Sequence, residues 1–201
     1  MTQERAGFTI WITGLPAAGK TTLAASVAHE LESHGATVLL LDGDELRQRL
    51  SSDLGYDASS RAEQARRAAH LAVAAGQRGE VAVVALVSPY ARDRRAAQAI
   101  HERDGIDFVE VYLATPLAEC ERRDPKGLYA DARRGVIRHL TGLDDPYEPP
   151  RDPDLVLGAD CEAVERDAVA VLRVLCERGL IASSVAAVPQ PSTPGASPVD
   201  R

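Results

Sequence analysis

Asparagine is absent from this 201-residue chain, and lysine occurs only at Lys20 and Lys126 although Lys and Arg together number 23. Such an imbalance points to a coding bias against Asn and Lys, so a lysine that persists carries more information than a missing asparagine. Long apolar runs are also lacking: none approaches the ~20 residues needed to cross a bilayer. The N-terminal "MTQERAGFTIWITG" has none of the charged-then-apolar layout of a secretory leader. A general basic field is missing too, with a formal net charge of −7, which argues against duplex nucleic acid as a partner. The three cysteines, Cys120, Cys161 and Cys176, form no metal-ligand spacing and leave one unpaired, as reduced thiols in a cytoplasmic protein would.

What is present fits a single soluble domain, 45% apolar and 26% charged. The run "FTIWIT" ends at a glycine and predicts a strand. Residues Thr21 to Gly35 repeat apolar side chains at helical spacing and stop at a glycine. "ATVLLLD" reads as a second strand, apolar enough to be buried on both faces of a parallel sheet. "SSRAEQARRAAHLAVAAGQRG" predicts a long helix, with Ser60 as N-cap and Glu63 completing a capping box. Further strands follow in "EVAVVALVSP", "IDFVEVYLAT" and "DLVLGA", with helices at Asp93–Arg103, in "PLAECERR", and from Cys161 to near Gly179. This alternation predicts a doubly wound α/β domain with helices on both faces of a parallel sheet. The domain is expected over residues 1–182. The segment 124–154, rich in Gly, Pro and Arg, is too long for an ordinary connection, and 183–201 reads as a disordered Pro/Ser/Ala-rich tail.

The stretch "GLPAAGKTT", Gly14 to Thr22, satisfies G-x-x-x-x-G-K-[ST] between a strand and a helix. Glycines at both ends let the backbone curl until its N–H groups face phosphate oxygens, and the helix N-terminus adds favourable partial charge. Lys20 reaches the β- and γ-phosphates, and the Thr21 hydroxyl is placed to ligate Mg²⁺. A nucleoside triphosphate is therefore expected as ligand.

Triphosphate binding leaves several classes open. A guanine-reading switch needs an Asn-Lys-x-Asp motif, which a chain without asparagine lacks. Motor-type ATPases end the third buried strand with acidic residues, whereas here it ends "VSPY". A small-molecule kinase needs a carboxylate aimed at an acceptor hydroxyl, and Asp42 and Asp44 end the second strand on the carboxyl edge, where open sheets place ligands. Asp44 and Arg47 share a helix face, pairing a carboxylate for the hydroxyl with a guanidinium for an anionic group. Arg61 and Gln64 share a face of the next helix in the same way.

Taken together, these residues resemble the adenylylsulfate kinase family, which phosphorylates the 3′-hydroxyl of adenosine 5′-phosphosulfate with ATP. The segments that carry the likeness are "GLPAAGKTTLA", "LDGD", "RQRLSSDLGY", "RAEQARR", "VSPY", "RDPKGLY" and "TGLDDPYEPP", spanning about Ile10 to Asp154. The resemblance implies a P-loop kinase fold, with 124–154 forming a mobile lid, and a homodimer. It further implies that Gly14, Ala17, Ala18, Gly19, Lys20, Thr21 and Thr22 hold ATP and magnesium, with Asp42 supporting the metal. By the same likeness Asp44 orients or deprotonates the acceptor hydroxyl, and Arg47 and Arg61 grip the acceptor's phosphosulfate. Gln64, Val87, Ser88 and Pro89 line the acceptor site, Tyr56 stacks on its adenine, and Arg123, Lys126 and the lid cover the nucleotides.

Departures from the family pattern gather on the acceptor side. "DGDN" is "DGDE" here, with Glu45; "DRxEN" is "SRAEQ", with Ser60 and Gln64; "SPYR" is "SPYA", with Ala91. "GLYKKAR" is "GLYADAR", with Ala130 and Asp131, and "FTG" is "LTG", so that Leu140 cannot stack on a base. Glu45 and Asp131 are expected to make the acceptor pocket more negative, which would suit an acceptor with less anionic charge or without adenine. Three readings follow: an adenylylsulfate kinase; a relative phosphorylating another nucleoside, nucleotide or small molecule; and a catalytically silent nucleotide-binding module, against which Lys20, Thr21 and Asp44 speak.

Overall fold

Seven consecutive buried residues, Phe8–Gly14, form β1. Burial on both faces needs partners on both sides, and β1 is the middle strand of a five-stranded parallel sheet. The others are β2 (Val38–Asp42), β3 (Val81–Ala85), β4 (Asp107–Leu113) and β5 (Leu155–Leu157), in the order β2-β3-β1-β4-β5. Ile10 lies opposite Val83 on one side and Val109 on the other. The computed structural model describes residues 6–158, 164–183 and 185.

The helices are α1 (Lys20–Ser33), α2 (Gly43–Arg49), α3 (Ala58–Gln77), α4 (Ala91–Arg103), α5 (Leu117–Arg123), α6 (Leu128–Arg133) and α7 (Val164–Glu177). Strand side chains alternate between two cores, as the period of two demands. Ile10, Ile12, Val83 and Val111 pack with Val27 and Leu31 of α1 and Leu172 and Leu175 of α7. Trp11, Ala82 and Val84 pack with Ala65, Ala68, Ala69 and Ala72 of α3 and Ala97 of α4. The doubly wound arrangement read from the sequence is the one observed.

Topology then places the ligand crevice. From β1 the chain runs through α1 to β2, and from β3 through α4 to β4, so the connections leave these adjacent strands in opposite directions. The carboxyl ends of β1 and β3 flank that switch point, where open α/β sheets bind ligands. The loops there are Leu15–Gly19 after β1 and Leu86–Tyr90 after β3.

Local expectations needed correcting in two places. The strand at "ATVLLLD" is not buried on both faces: β2 is an edge strand, and Leu40 is 37% exposed. An apolar run reports strand character but not a strand's place in the sheet. The N-cap of α3 is Asp57, not Ser60: its carboxylate accepts from the Ser59 and Ser60 backbone N–H groups, at 3.0 Å each. An ionised acceptor beats a hydroxyl at the positive end of a helix, and the Ser59 hydroxyl, with the Ser60 N–H and hydroxyl, holds the Asp57 carboxyl well below the usual range. Glu63, expected in a capping box, instead pairs with Arg66 and Arg67.

Segment 124–154 divides in two. Its first part carries α6, and its second part is fastened to the body: Leu140 and Thr141 are buried, and Tyr147 stacks on Tyr112 of β4 at 5.8 Å. The expected start of the last helix at Cys161 and the tail at 184 and 186–201 lie outside the described residues, where α7 is seen from Val164.

Candidate active site

The loop after β1 owes its shape to left-handed backbone. Gly19 has φ 104° and Ala17 φ 57°, while a Cβ at Gly14 would lie 2.8 Å from the Leu113 carbonyl oxygen. Only glycine fits so close to a neighbouring strand. Neighbouring side chains fix the loop from below: the Thr115 hydroxyl donates to the Ala18 carbonyl (3.0 Å), and the buried Tyr129 hydroxyl donates to the Pro16 carbonyl (3.0 Å). Lys20, the first residue of α1, donates to the Gly14 and Leu15 carbonyls at 3.0 and 2.7 Å. Burial pushes its ammonium down to about 8, against the partial support of Cys120, Asp42 and Asp44.

β2 delivers the carboxylates. Asp42 caps α2, accepting from the Asp44 backbone N–H at 2.9 Å through one oxygen and from the Thr21 hydroxyl at 2.6 Å through the other. A hydroxyl and a carboxylate converging in this way are hard oxygen donors. No group of three or more His, Cys, Asp or Glu suited to a metal occurs among the described residues. That donor set fits Mg²⁺, which binds one or two protein oxygens and takes the rest from phosphates and water. The Asp44 carboxylate pairs with Lys126 from the segment between α5 and α6.

Both loops open into one cavity of about 1470 Å³. Every residue proposed from the sequence for phosphate or acceptor lines it, except Gly14, whose carbonyl meets Lys20 from beneath. Arg47 lies over the Tyr56 ring, 4.3 Å from its centroid, and donates to the Gly55 carbonyl at 2.7 Å. Arg61 donates to the Tyr56 and His139 carbonyls at 2.8 and 3.0 Å. Among the described residues neither guanidinium forms an ion pair with a carboxylate. Burial lowers the pKa of both, and for Arg61 the neighbouring Arg47 lowers it further. Two like charges held on backbone carbonyls are suited to receive an anion.

Gln64 is buried and donates to the Gly43 carbonyl at 3.0 Å, bracing the Asp42–Asp44 turn. Ser88, left-handed at φ 42°, accepts through its hydroxyl from the Trp11 indole at 3.2 Å. Arg123 is held by Glu119 at 2.7 Å.

Two residues expected to charge the acceptor wall do not reach it. Glu45 faces solvent and pairs with Arg49 at 3.7 Å, and Asp131 pairs with Arg134 one helical turn on. Neither lines the cavity, so neither adds negative charge to its wall. Other lining residues went unread: Glu119, Arg122, His139, and from α7 Val164, Arg166 and Asp167. Nothing local to α7 marks it as a wall of the site, because its amphipathic pattern reports only packing.

The family model for adenylylsulphate kinase matches residues 6–158. The adenylyl-sulfate kinase of Halothermothrix orenii is 45% identical over 179 residues, covering 89% of this chain and 95% of that protein. The bifunctional enzyme CysN/CysC of Mycobacterium tuberculosis is also 45% identical, over 84% of this chain, but the match spans only 27% of that longer protein. Among solved structures, the M. tuberculosis APS kinase CysC in complex with AMPPNP and APS superposes with a TM-score of 0.83 at 45% identity, covering 85% of this chain and 98% of the other.

Proposed function

Because the chain belongs to the adenylylsulphate kinase family, we propose that it transfers the γ-phosphoryl group of ATP to the 3′-hydroxyl of adenosine 5′-phosphosulfate. The observation that carries this reading is the Arg47–Arg61 pair, held on backbone carbonyls rather than on carboxylates, in the same cavity as the P-loop lysine. A phosphate-cradling loop accounts for the donor, and an acceptor that brings its own anion accounts for two arginines that form no ion pair with a carboxylate among the described residues. That pair also favours the phosphosulfate over a neutral alcohol.

In the proposed mechanism the backbone of Gly14–Gly19 and the N-terminus of α1 cradle the phosphates. Lys20 exchanges its carbonyl partners for β- and γ-phosphate oxygens and neutralises charge that develops during transfer. Thr21 and Asp42 would hold magnesium, which supplies further charge neutralisation at the phosphates. Asp44 accepts the hydroxyl proton as the new O3′–P bond forms and the bond from the γ-phosphorus to its bridging oxygen breaks, releasing ADP. Its carboxylate must first be released by Lys126, which is then free to follow the transferred charge. Arg47 and Arg61 hold the acceptor's phosphosulfate, and Tyr56, already flat beneath a guanidinium, offers a face to its base. Positioning and preorganised charge do most of the work in such a transfer.

In this reading lid movement is confined to the exposed turns at about 124–127 and 134–139, since Tyr129 and 140–154 are fastened to the body. The Asp124 carboxylate accepts from the Tyr129 and Ala130 N–H groups, at 3.2 and 3.0 Å, and ties the first of these turns to the start of α6. We extend the reading to a cytoplasmic homodimer on the family resemblance alone, and light scattering at twice the chain mass would bear that assembly out. The activity itself is tested by steady-state kinetics with ATP, Mg²⁺ and adenosine 5′-phosphosulfate beside a panel of nucleosides and nucleotides. Saturable phosphorylation of the phosphosulfate is expected; turnover confined to another acceptor would refute the assignment.

A further inference from the structure

The segment "DPYEPP" lies outside the cavity, yet the side chains and backbone of its centre reach the loop that forms part of the cavity wall. After β3 the chain runs through Val87, Ser88, Pro89 and Tyr90 into α4, and the first three of these line the cavity. The carbonyls of Val87, Ser88 and Pro89 are each held by a residue outside the loop. The Thr13 hydroxyl donates to the Val87 carbonyl at 2.7 Å and also meets the Tyr147 hydroxyl at 2.9 Å. Arg94, 3% exposed, donates to the Ser88 carbonyl at 2.7 Å and to the Glu148 carbonyl at 2.7 Å. The Glu148 backbone N–H donates to the Pro89 carbonyl at 2.8 Å, and its carboxylate accepts from the Ala91 N–H at 2.8 Å.

Those contacts have a local cause. α4 begins after Tyr90, whose side chain offers no cap hydrogen bond, so its first N–H groups need an acceptor from elsewhere. Glu148 supplies one, and an anion at a helix N-terminus is also favoured by the helix dipole. Ser88 is left-handed and not glycine, a conformation that persists only when the surroundings over-determine it. Arg94 is oriented by Glu110, with which it pairs at 2.8 Å within the fold. The bonds converge on one short loop and leave it a single conformation.

We propose that Glu148 and Arg94 form a clamp that holds Val87–Pro89 in the conformation that receives the acceptor. Both are positioning residues: neither lines the cavity, and each acts through the loop. The inference rests on the reading of Val87–Pro89 as acceptor wall, and it gives the "PYE" part of the sequence motif a mechanical purpose.

The test compares Glu148→Ala and Glu148→Gln in the full chain, since the amide oxygen of glutamine can still accept from the Ala91 N–H. Three readouts are needed: KM for adenosine 5′-phosphosulfate, KM for ATP, and amide hydrogen exchange at residues 88 and 90–92. In Glu148→Ala, exchange at those amides should accelerate and the acceptor KM rise about tenfold, while the ATP KM stays within about twofold, a loss of one charge-assisted bond. Glu148→Gln should restore most of both. The clamp is overturned if Ala leaves exchange unchanged, if exchange rises with no change in acceptor KM, if both KM values rise together, or if Gln behaves as Ala does. Should the wild-type protein fail to phosphorylate the phosphosulfate, the proposed function falls. Exchange at residues 88 and 90–92 then separates the two failures: protection lost in Ala and regained in Gln keeps the mechanical clamp, and no change overturns that too.

Discussion

The ammonium of Lys20 should make ATP binding weaken as pH rises through about 8. Burial in the loop lowers it from 10.5 to about 8, and Asp42 and Asp44 only partly compensate. Bound triphosphate would surround the same ammonium with anionic oxygens and raise its pKa again, so binding above pH 8 requires uptake of a proton. If only the charged form binds, the apparent Kd scales with the fraction protonated. In the free protein that fraction falls from about nine-tenths at pH 7 to about one-tenth at pH 9, a weakening of roughly tenfold. Titration calorimetry with Mg²⁺ and a non-hydrolysable ATP analogue, in buffers of differing ionisation enthalpy, measures both the Kd and the protons taken up. Uptake should approach about one proton at pH 9. In Lys20→Arg the guanidinium stays charged throughout, so the slope should vanish whatever the absolute affinity. A flat Kd between pH 7 and 9 in wild type, or an equal slope in Lys20→Arg, would refute the reasoning.

The same shift has a consequence for stability, of opposite sign to that of an ordinary paired lysine. Because the folded-state pKa lies below the unfolded one, the unfolded chain binds more protons between pH 8 and 10.5, and wild-type stability should rise with pH across that window. Lys20→Met should therefore melt above wild type at pH 7. The difference is at most on the order of 3 kcal/mol and smaller in practice because Lys20 keeps part of its surface in the cavity. The gap should close toward pH 10, as denaturant melts would register. Asp44→Asn should reduce transfer by at least about 10²-fold while leaving ATP affinity within about twofold, and near-wild-type turnover would remove Asp44 from its assigned role. Tyr129→Phe, which strands the Pro16 carbonyl, should cost about 1 kcal/mol in denaturant melts and raise the ATP KM more than the acceptor KM.

Sequence reasoning succeeded where the chemistry is contiguous and failed where it is assembled across the fold. The phosphate loop was legible because glycine spacing, lysine and threonine fall within nine residues, between a strand and a helix that periodicity identifies. Asp42 and Asp44 were legible because a strand end fixes which edge of the sheet they occupy. By contrast, Arg61 meets the His139 carbonyl across 78 residues, Glu148 reaches Ala91 across 57, and Tyr147 reaches Thr13 across 134. No local pattern encodes those pairings, and each becomes visible only when the parallel sheet brings the loops after β1 and β3 side by side.

Glu45 is the clearest case of a residue misread for that reason. In sequence it stands between Asp44 and Leu46, in the middle of the acceptor motif, where its charge is expected to bear on what the pocket can hold. In the helix, adjacent positions point about 100° apart, so sharing a motif with Asp44 does not mean sharing its face. Asp44 turns to the cavity, while Glu45 turns out to Arg49 four residues on. The charges on the cavity wall are those of the residues that line it, Arg47 and Arg61 on the acceptor side among them, and Glu45 adds none. Leu140 stays a real departure, because it does line the cavity, and it acts on base stacking rather than on charge. A base-stacking deficit lowers affinity for any nucleotide acceptor without redirecting the pocket toward a different anion, so under the proposed function the acceptor's identity is decided at the anionic end assigned to Arg47 and Arg61.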